Sequence, residues 1–143
     1  MSLPPALYQA FLATRYTAAA PFGTVVVRIG RRHPALDAQL AADGHAGWVY
    51  LGACNPHAQL LDAGTNARLH ARFGRVLARL GRPGWSGHGV PAGDDWPPEP
   101  AWLVPGLEPA LARRLALRYG QLAYVHGRHG EPAVLVLSGI RTR

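Results

Sequence analysis

The chain has 143 residues and a net charge of +7, with 48% hydrophobic and 16% charged residues. That size and balance suit one globular domain with its own core and argue against disorder. A single cysteine, Cys54, excludes an internal disulfide and a multi-cysteine zinc site, and no apolar run nears the roughly 20 residues a membrane helix needs.

Pro5–Ala13 reads as a short helix with Leu7, Phe11 and Leu12 as its apolar stripe. Tyr16–Ala20 reads as a strand that turns at Pro21-Phe22-Gly23 into a stronger one, Thr24–Ile29. There Val25, Val27 and Ile29 share one face, and Thr24, Val26 and Arg28 the other. Pro34 opens a helix to about Asp43, with Leu36 and Leu40 one turn apart and Gly44 as the C-cap. Gly47–Ala53 is apolar on both faces, the pattern of a central strand. A long helix follows from Ala63 to Leu80, with Asp62 as N-cap and Gly81 as stop. Its Leu69, Phe73, Val76, Leu77 and Leu80 form one buried face, and Arg68, Arg72, Arg75 and Arg79 lie opposite.

Arg82–Pro100 is rich in Pro and Gly, reads as a long loop and is a candidate lid. Ala101–Val104 reads as a short strand and Pro109–Tyr119 as a helix capped by Gly120. Gln121–His126 and Ala133–Leu137 form a hairpin, and Arg141-Thr142-Arg143 reads as a frayed tail. The predicted fold class is α+β, with α/β character: a single domain with a mixed sheet of about five strands and helices packed on it. Long helical connections allow parallel strand pairs, and the two hairpins require antiparallel ones. The N-terminus, from Met1, lacks a basic region followed by an apolar core, so no signal peptide is expected. A soluble cytoplasmic protein is the expectation.

All 15 basic residues are arginine. With abundant Ala, Gly and Pro, this reads as the codon bias of a GC-rich bacterial genome, so the charge is weak support for nucleic-acid binding. The stripe of Arg68, Arg72, Arg75 and Arg79 reads first as a solvated helix face. Its functional alternative is a grip on nucleic acid or an acidic protein.

The order of Val27-Arg28-Ile29-Gly30, Gly52-Ala53-Cys54-Asn55-Pro56, Asn66, Trp96-Pro97-Pro98-Glu99-Pro100 and Tyr119-Gly120-Gln121 resembles a small bacterial family, domain of unknown function 3293. The resemblance runs from Tyr16 to about Leu137. That family typically has Thr at the position of Gly52 and often an aromatic residue at that of Cys54. The resemblance therefore implies that the thiol is not a shared catalytic group. It implies a pattern of residues and no particular activity.

The candidate site gathers where the strand ending in Asn55-Pro56 meets the start of the long helix. Asn55 reads either as an Asx-type turn or as a ligand contact at the carboxyl end of a strand. Asn66 falls in line with Leu69, Phe73 and Leu77, so its amide points inward and requires a partner: the Asn55–Leu61 backbone, a ligand or a water. Glu99, set between prolines, reads either as the salt-bridge partner of Arg28 or as a general acid/base, the single catalytic candidate. Gln121 either caps Tyr119-Gly120 or faces the same crevice. Asn55, Asn66, Gln121 and Arg28 are the ligand-binding candidates. Cys54 with His57 invites a Cys–His nucleophile, but alternation turns Cys54 toward the face of Trp48 and Tyr50, where a thiol is inert. The seven histidines show no metal-ligand spacing, and no phosphate loop or nucleophile elbow is present, so no metal or cofactor is expected. The leading expectation is a domain that binds a small polar ligand through an Asn/Glu/Gln pocket and could act as an enzyme.

Overall fold

The computed structural model describes residues 3–140. Among these, helix α1 covers Pro5–Ala13 and strands β1 and β2 cover Arg15–Ala20 and Gly23–Val27. Helix α2 is Pro34–Ala42, strand β3 is Gly47–Leu51 and helix α3 is Ala63–Arg79. Strands β4 (Trp85–Val90) and β5 (Glu99–Pro105), helix α4 (Pro109–Arg118) and strands β6 (Ala123–Arg128) and β7 (Val134–Leu137) complete the chain. The tail expected to fray, Arg141–Arg143, and the first two residues lie outside the described region.

The described residues form one seven-stranded sheet rather than about five strands, in the order β2-β1-β4-β5-β3-β6-β7. Every neighbouring pair of these strands is antiparallel, which corrects the expected mixed sheet. The helical crossovers do join parallel strands, as their length suggested, but never adjacent ones. Strand β5 lies between β3 and β4, β3 lies between β5 and β6, and the α2 crossover from β2 to β3 passes over β1, β4 and β5.

The sheet curls until its two ends meet. Ile29 bridges Ala133 beyond the edge strands, with Gly30 N–H donating to the Ala133 carbonyl at 2.8 Å and Ala133 N–H to that of Arg31 at 3.0 Å. Curling gives the sheet an inner and an outer core. Inside, Val25 and Val27 of β2 and Trp48 and Tyr50 of β3 pack with Leu103, Val125 and the α2 residues Leu36 and Leu40. Outside, Val49 and Leu51 of β3 and Val104 of β5 pack under Phe73 and Leu77 of α3 and Leu115 of α4. Strand β3 is therefore apolar on both faces because both are covered.

Helix termini follow the local rules. Asp62 caps α3, its Oδ1 accepting from Thr65 N–H at 2.8 Å and its Oδ2 from Thr65 Oγ1–H at 2.7 Å. These bonds hold the Asp62 carboxyl below its ordinary pKa. The α2 cap is His33, whose Nδ1 accepts from Leu36 N–H at 3.1 Å. Leu80 departs from the expected buried stripe: it sits at the α3 C-terminus, 44% exposed.

The expected Arg82–Pro100 loop contains the main correction. Strand β4 lies inside it, paired with β1 on one side and β5 on the other, so residues 85–90 are sheet, while residues 91–98 lack regular structure. Between Trp85 and Val90 its sequence, Ser-Gly-His-Gly, has little strand propensity, and the two flanking strands supply the pairing instead. Gly87 is required there: a Cβ would overlap the Thr17 carbonyl of β1.

Candidate functional site

Beyond Leu51 the chain leaves the sheet and enters a turn of unusual backbone. Asn55, His57 and Ala58 all have positive φ, at 48°, 59° and 57°. Left-handed backbone costs a residue with a side chain roughly 1–2 kcal/mol, least for Asn. Three such residues in four must be held by their surroundings, and such clusters concentrate at binding and catalytic sites.

Two asparagines hold this turn. Asn66 Oδ1 accepts from Asn55 N–H at 3.0 Å, and Asn66 Nδ2–H donates to Asn55 Oδ1 at 2.8 Å. Asn55 Oδ1 also accepts from Leu61 N–H at 2.8 Å, so its carbonyl braces the loop back to the helix start. The exposures of Asn55 and Asn66 are 6% and 7%. The inward amide expected at Asn66 is present, and its partners are Asn55 and, at 3.5 Å, the Leu61 carbonyl. A further bond runs from His57 N–H to the Gly120 carbonyl at 2.7 Å. Gly120 has φ 66°, and a Cβ there would press on Pro56 and His57 at 3.0 Å, so glycine suits this close approach.

Gln121 plays both parts considered for it. Its Nε2 donates to the Cys54 carbonyl at 3.0 Å and the Tyr119 carbonyl at 3.1 Å, tying the β3 end to the α4 end. The same side chain lines a cavity of about 330 Å³. Asn55 and Glu99 line that cavity too, so residues spread from position 55 to 121 share one concave surface. Asn66 does not line it and acts on it through Asn55.

The cavity sits at one end of the curled sheet. Tyr16, Tyr50 and Val125 belong to the inner core and form its floor, while Leu7, Ala10 and Phe11 of α1 lie across its mouth. No residue of α1 is fully buried. A bond from Tyr16 Oη–H to the Phe11 carbonyl, at 2.7 Å, ties the helix end to the cavity floor. Tyr50 Oη–H donates to the Thr17 carbonyl at 2.8 Å. Burial pushes both phenols above their ordinary pKa, so both remain protonated donors.

Glu99 opens β5 and is half-buried at the cavity wall. It accepts from the Trp96 indole Nε1–H at 3.3 Å. Burial raises its carboxyl pKa, while the hydrogen bonds from Trp96 and the Asn55 side chain oppose that rise. The expected salt bridge with Arg28 is not formed: the ion pairs among the described residues are Arg82–Glu108 and Arg128–Glu131. Arg28 follows β2 toward the sheet seam and does not line the cavity. Curling carries that edge away from the mouth, which alternation along one strand could not reveal.

Cys54 is fully buried, and its Sγ–H approaches the Asn66 carbonyl at 3.5 Å. It does not follow Trp48 and Tyr50 inward, because β3 ends at Leu51 and alternation ends with it. Burial, with Glu99 nearby, pushes the thiol pKa up to about 12, so it carries little nucleophilic thiolate. His70 stacks on Trp102, with ring centroids 4.5 Å apart and planes at 17°. Its Nε2 is 2.8 Å from Ser86 Oγ, and its buried Nδ1 has no hydrogen-bond partner among the described residues. Burial lowers its pKa, with the His88 charge adding to the effect. Among the described residues no acidic group bonds His70 Nδ1 to complete this Ser–His pair as a catalytic triad.

Four cavity groups escaped the sequence reading: Tyr16, Tyr50, Trp96 and Phe11. Trp96 carried a signal, three residues before Glu99 in a proline-held segment; the tyrosines read as ordinary strand residues. Arg68, Arg72, Arg75 and Arg79 are exposed on α3, and none of them lines the cavity. No described helix is long and apolar enough to cross a membrane.

No curated protein and no solved structure matches the chain. A family profile described as protein of unknown function (DUF3293) matches residues 51–124, which include the strained turn, the asparagine pair, Trp96, Glu99 and Gln121. The match spans just over half of the 143 residues, and the chain belongs to this family.

Proposed function

We propose that this chain is one domain that binds a small molecule in the cavity beneath α1, with Glu99 and Gln121 as direct contacts and Asn55 as the polar wall between them. The carrying observation is the convergence of these three side chains on one cavity of about 330 Å³, within the usual size range of small-molecule sites. The strained turn at 55–58 supports the same reading, since its cost is borne where the cavity wall is shaped. Asn66 is a positioning residue in this account. Arg28 has no contact role in it. Glu99 is the one carboxyl on the wall able to take a proton from a bound molecule, and a general-base role rests on that placement.

The test is a ligand-observed NMR screen of mixed aromatic and aliphatic fragments against the protein and its Ala123→Phe variant, which fills the cavity from β6. Fragments that bind the first and not the folded second support the site. Equal binding to both refutes it. The arginine stripe supports a second reading, a surface for nucleic acid or an acidic protein, because Arg72, Arg75 and Arg79 are exposed without an acidic partner among the described residues. Affinity for duplex DNA or polyglutamate that falls steeply with salt, and is lost when the three become Gln, would support it; no salt-dependent binding would end it.

A further inference from the structure

We propose that the molecule bound in this cavity is an organic cation: a compact amine whose N–H groups meet Glu99 and whose apolar body lies among the aromatic rings. This rests on the cavity being the binding site, and it adds the chemical class of the ligand.

Charge is the first argument. The chain carries 15 arginines and seven histidines against eight acidic residues, yet none of those basic residues lines the cavity. Its one charged side chain is the carboxyl of Glu99. An anion entering this space would meet like charge, with no arginine or histidine on the wall to receive it. A cation would meet the carboxylate in a partly desolvated setting, where pairing is stronger than at the surface.

Hydrogen-bond capacity gives the same answer independently. The cavity's donors are largely engaged: the Tyr16 and Tyr50 hydroxyls donate to the Phe11 and Thr17 carbonyls, at 2.7 and 2.8 Å. The Gln121 Nε2 donates to Cys54 and Tyr119 carbonyls, and the Trp96 indole donates to Glu99. What these lining side chains have left is acceptor capacity, on the Glu99 carboxylate, the Gln121 Oε1 and the phenolic oxygens. A ligand must bring the donors. An ammonium brings three and no acceptor, and the rings of Tyr16, Tyr50 and Trp96 give its charge favourable faces.

Three probes of one shape separate the alternatives near neutral pH: benzylamine, benzyl alcohol and benzoate, by titration calorimetry. Benzylamine should bind about tenfold or more tightly than benzyl alcohol, and benzoate should not bind. Glu99→Gln should bring benzylamine down to the level of benzyl alcohol. Should that variant not fold, the intact protein still decides, because benzylamine affinity must fall as acid protonates Glu99 while benzyl alcohol affinity stays level. Benzyl alcohol or benzoate binding as tightly as benzylamine overturns the cation and leaves the cavity as a site. Failure of all three to bind overturns the cation, and binding unaffected by Ala123→Phe removes the site as well.

Discussion

Replacing Asn66 by Ala tests the brace on which the cavity wall depends. The change removes the acceptor of Asn55 N–H and the donor to Asn55 Oδ1, both within a pair that is 6% and 7% exposed. Losing the bond to Oδ1 costs about 1 kcal/mol, since that oxygen keeps Leu61 N–H, and orphaning a buried backbone N–H costs about 1–3 kcal/mol. The sum, about 2–4 kcal/mol, corresponds to a fall in Tm of roughly 7–13 °C for a domain of this size. Differential scanning calorimetry and urea unfolding would read it. Asn66→Asp sharpens the test. An ionised carboxylate keeps an acceptor for Asn55 N–H but sets an oxygen against Asn55 Oδ1, which raises the folded pKa of that carboxyl above its unfolded value of about 3.9. The folded state then holds the proton more tightly, so the variant must gain stability as pH falls through the raised pKa toward that value. An Asn66→Ala protein within about 1 kcal/mol of the parent, or an Asn66→Asp protein with the parent's pH profile, would refute the brace.

Three further outcomes are expected. Burial raises the Glu99 pKa, so its folded value exceeds the unfolded one, and this group makes stability fall as pH rises from about 4.3 through the raised value; Glu99→Gln should flatten that slope in urea unfolding curves. Gly87→Ala should destabilise by about 3 kcal/mol or more, because its Cβ would meet backbone of β1 that has no room to yield, and a midpoint matching the parent would show that β4 sits elsewhere. Cys54, fully buried with its pKa pushed up to about 12, should resist a thiol reagent at neutral pH in the native protein and react at once in guanidinium; fast native labelling would contradict its placement.

Much of the candidate site was legible because its parts obey local rules. Helical spacing alone turned Asn66 inward, and burial then required the partners it has in Asn55 and Leu61. Prolines around Glu99 signalled a placed carboxylate, and Gln121 after a glycine cap signalled a tie. What was misread involved partners remote in sequence. The pairing of Glu99 with Arg28 looked reasonable on charge, yet the carboxyl is served by Trp96 and Asn55. Strand β4 was invisible because glycine and histidine carry little strand propensity; its two neighbours make it a strand.

The sequence by itself determined the helices, their caps, the two hairpins and the two-faced burial of β3, because these follow from periodicity and turn chemistry within a few residues. It also determined that the asparagines would be engaged. The tertiary structure decided which strands became neighbours, how far the sheet curled and where a cavity remained. Strand adjacency is set by competition among distant segments for one hydrogen-bonding edge, and nothing local to β3 specifies that β5 and β6, rather than β4, should flank it. The same long-range choice brought α1 over the open end and left Glu99 as the single charge on the cavity wall.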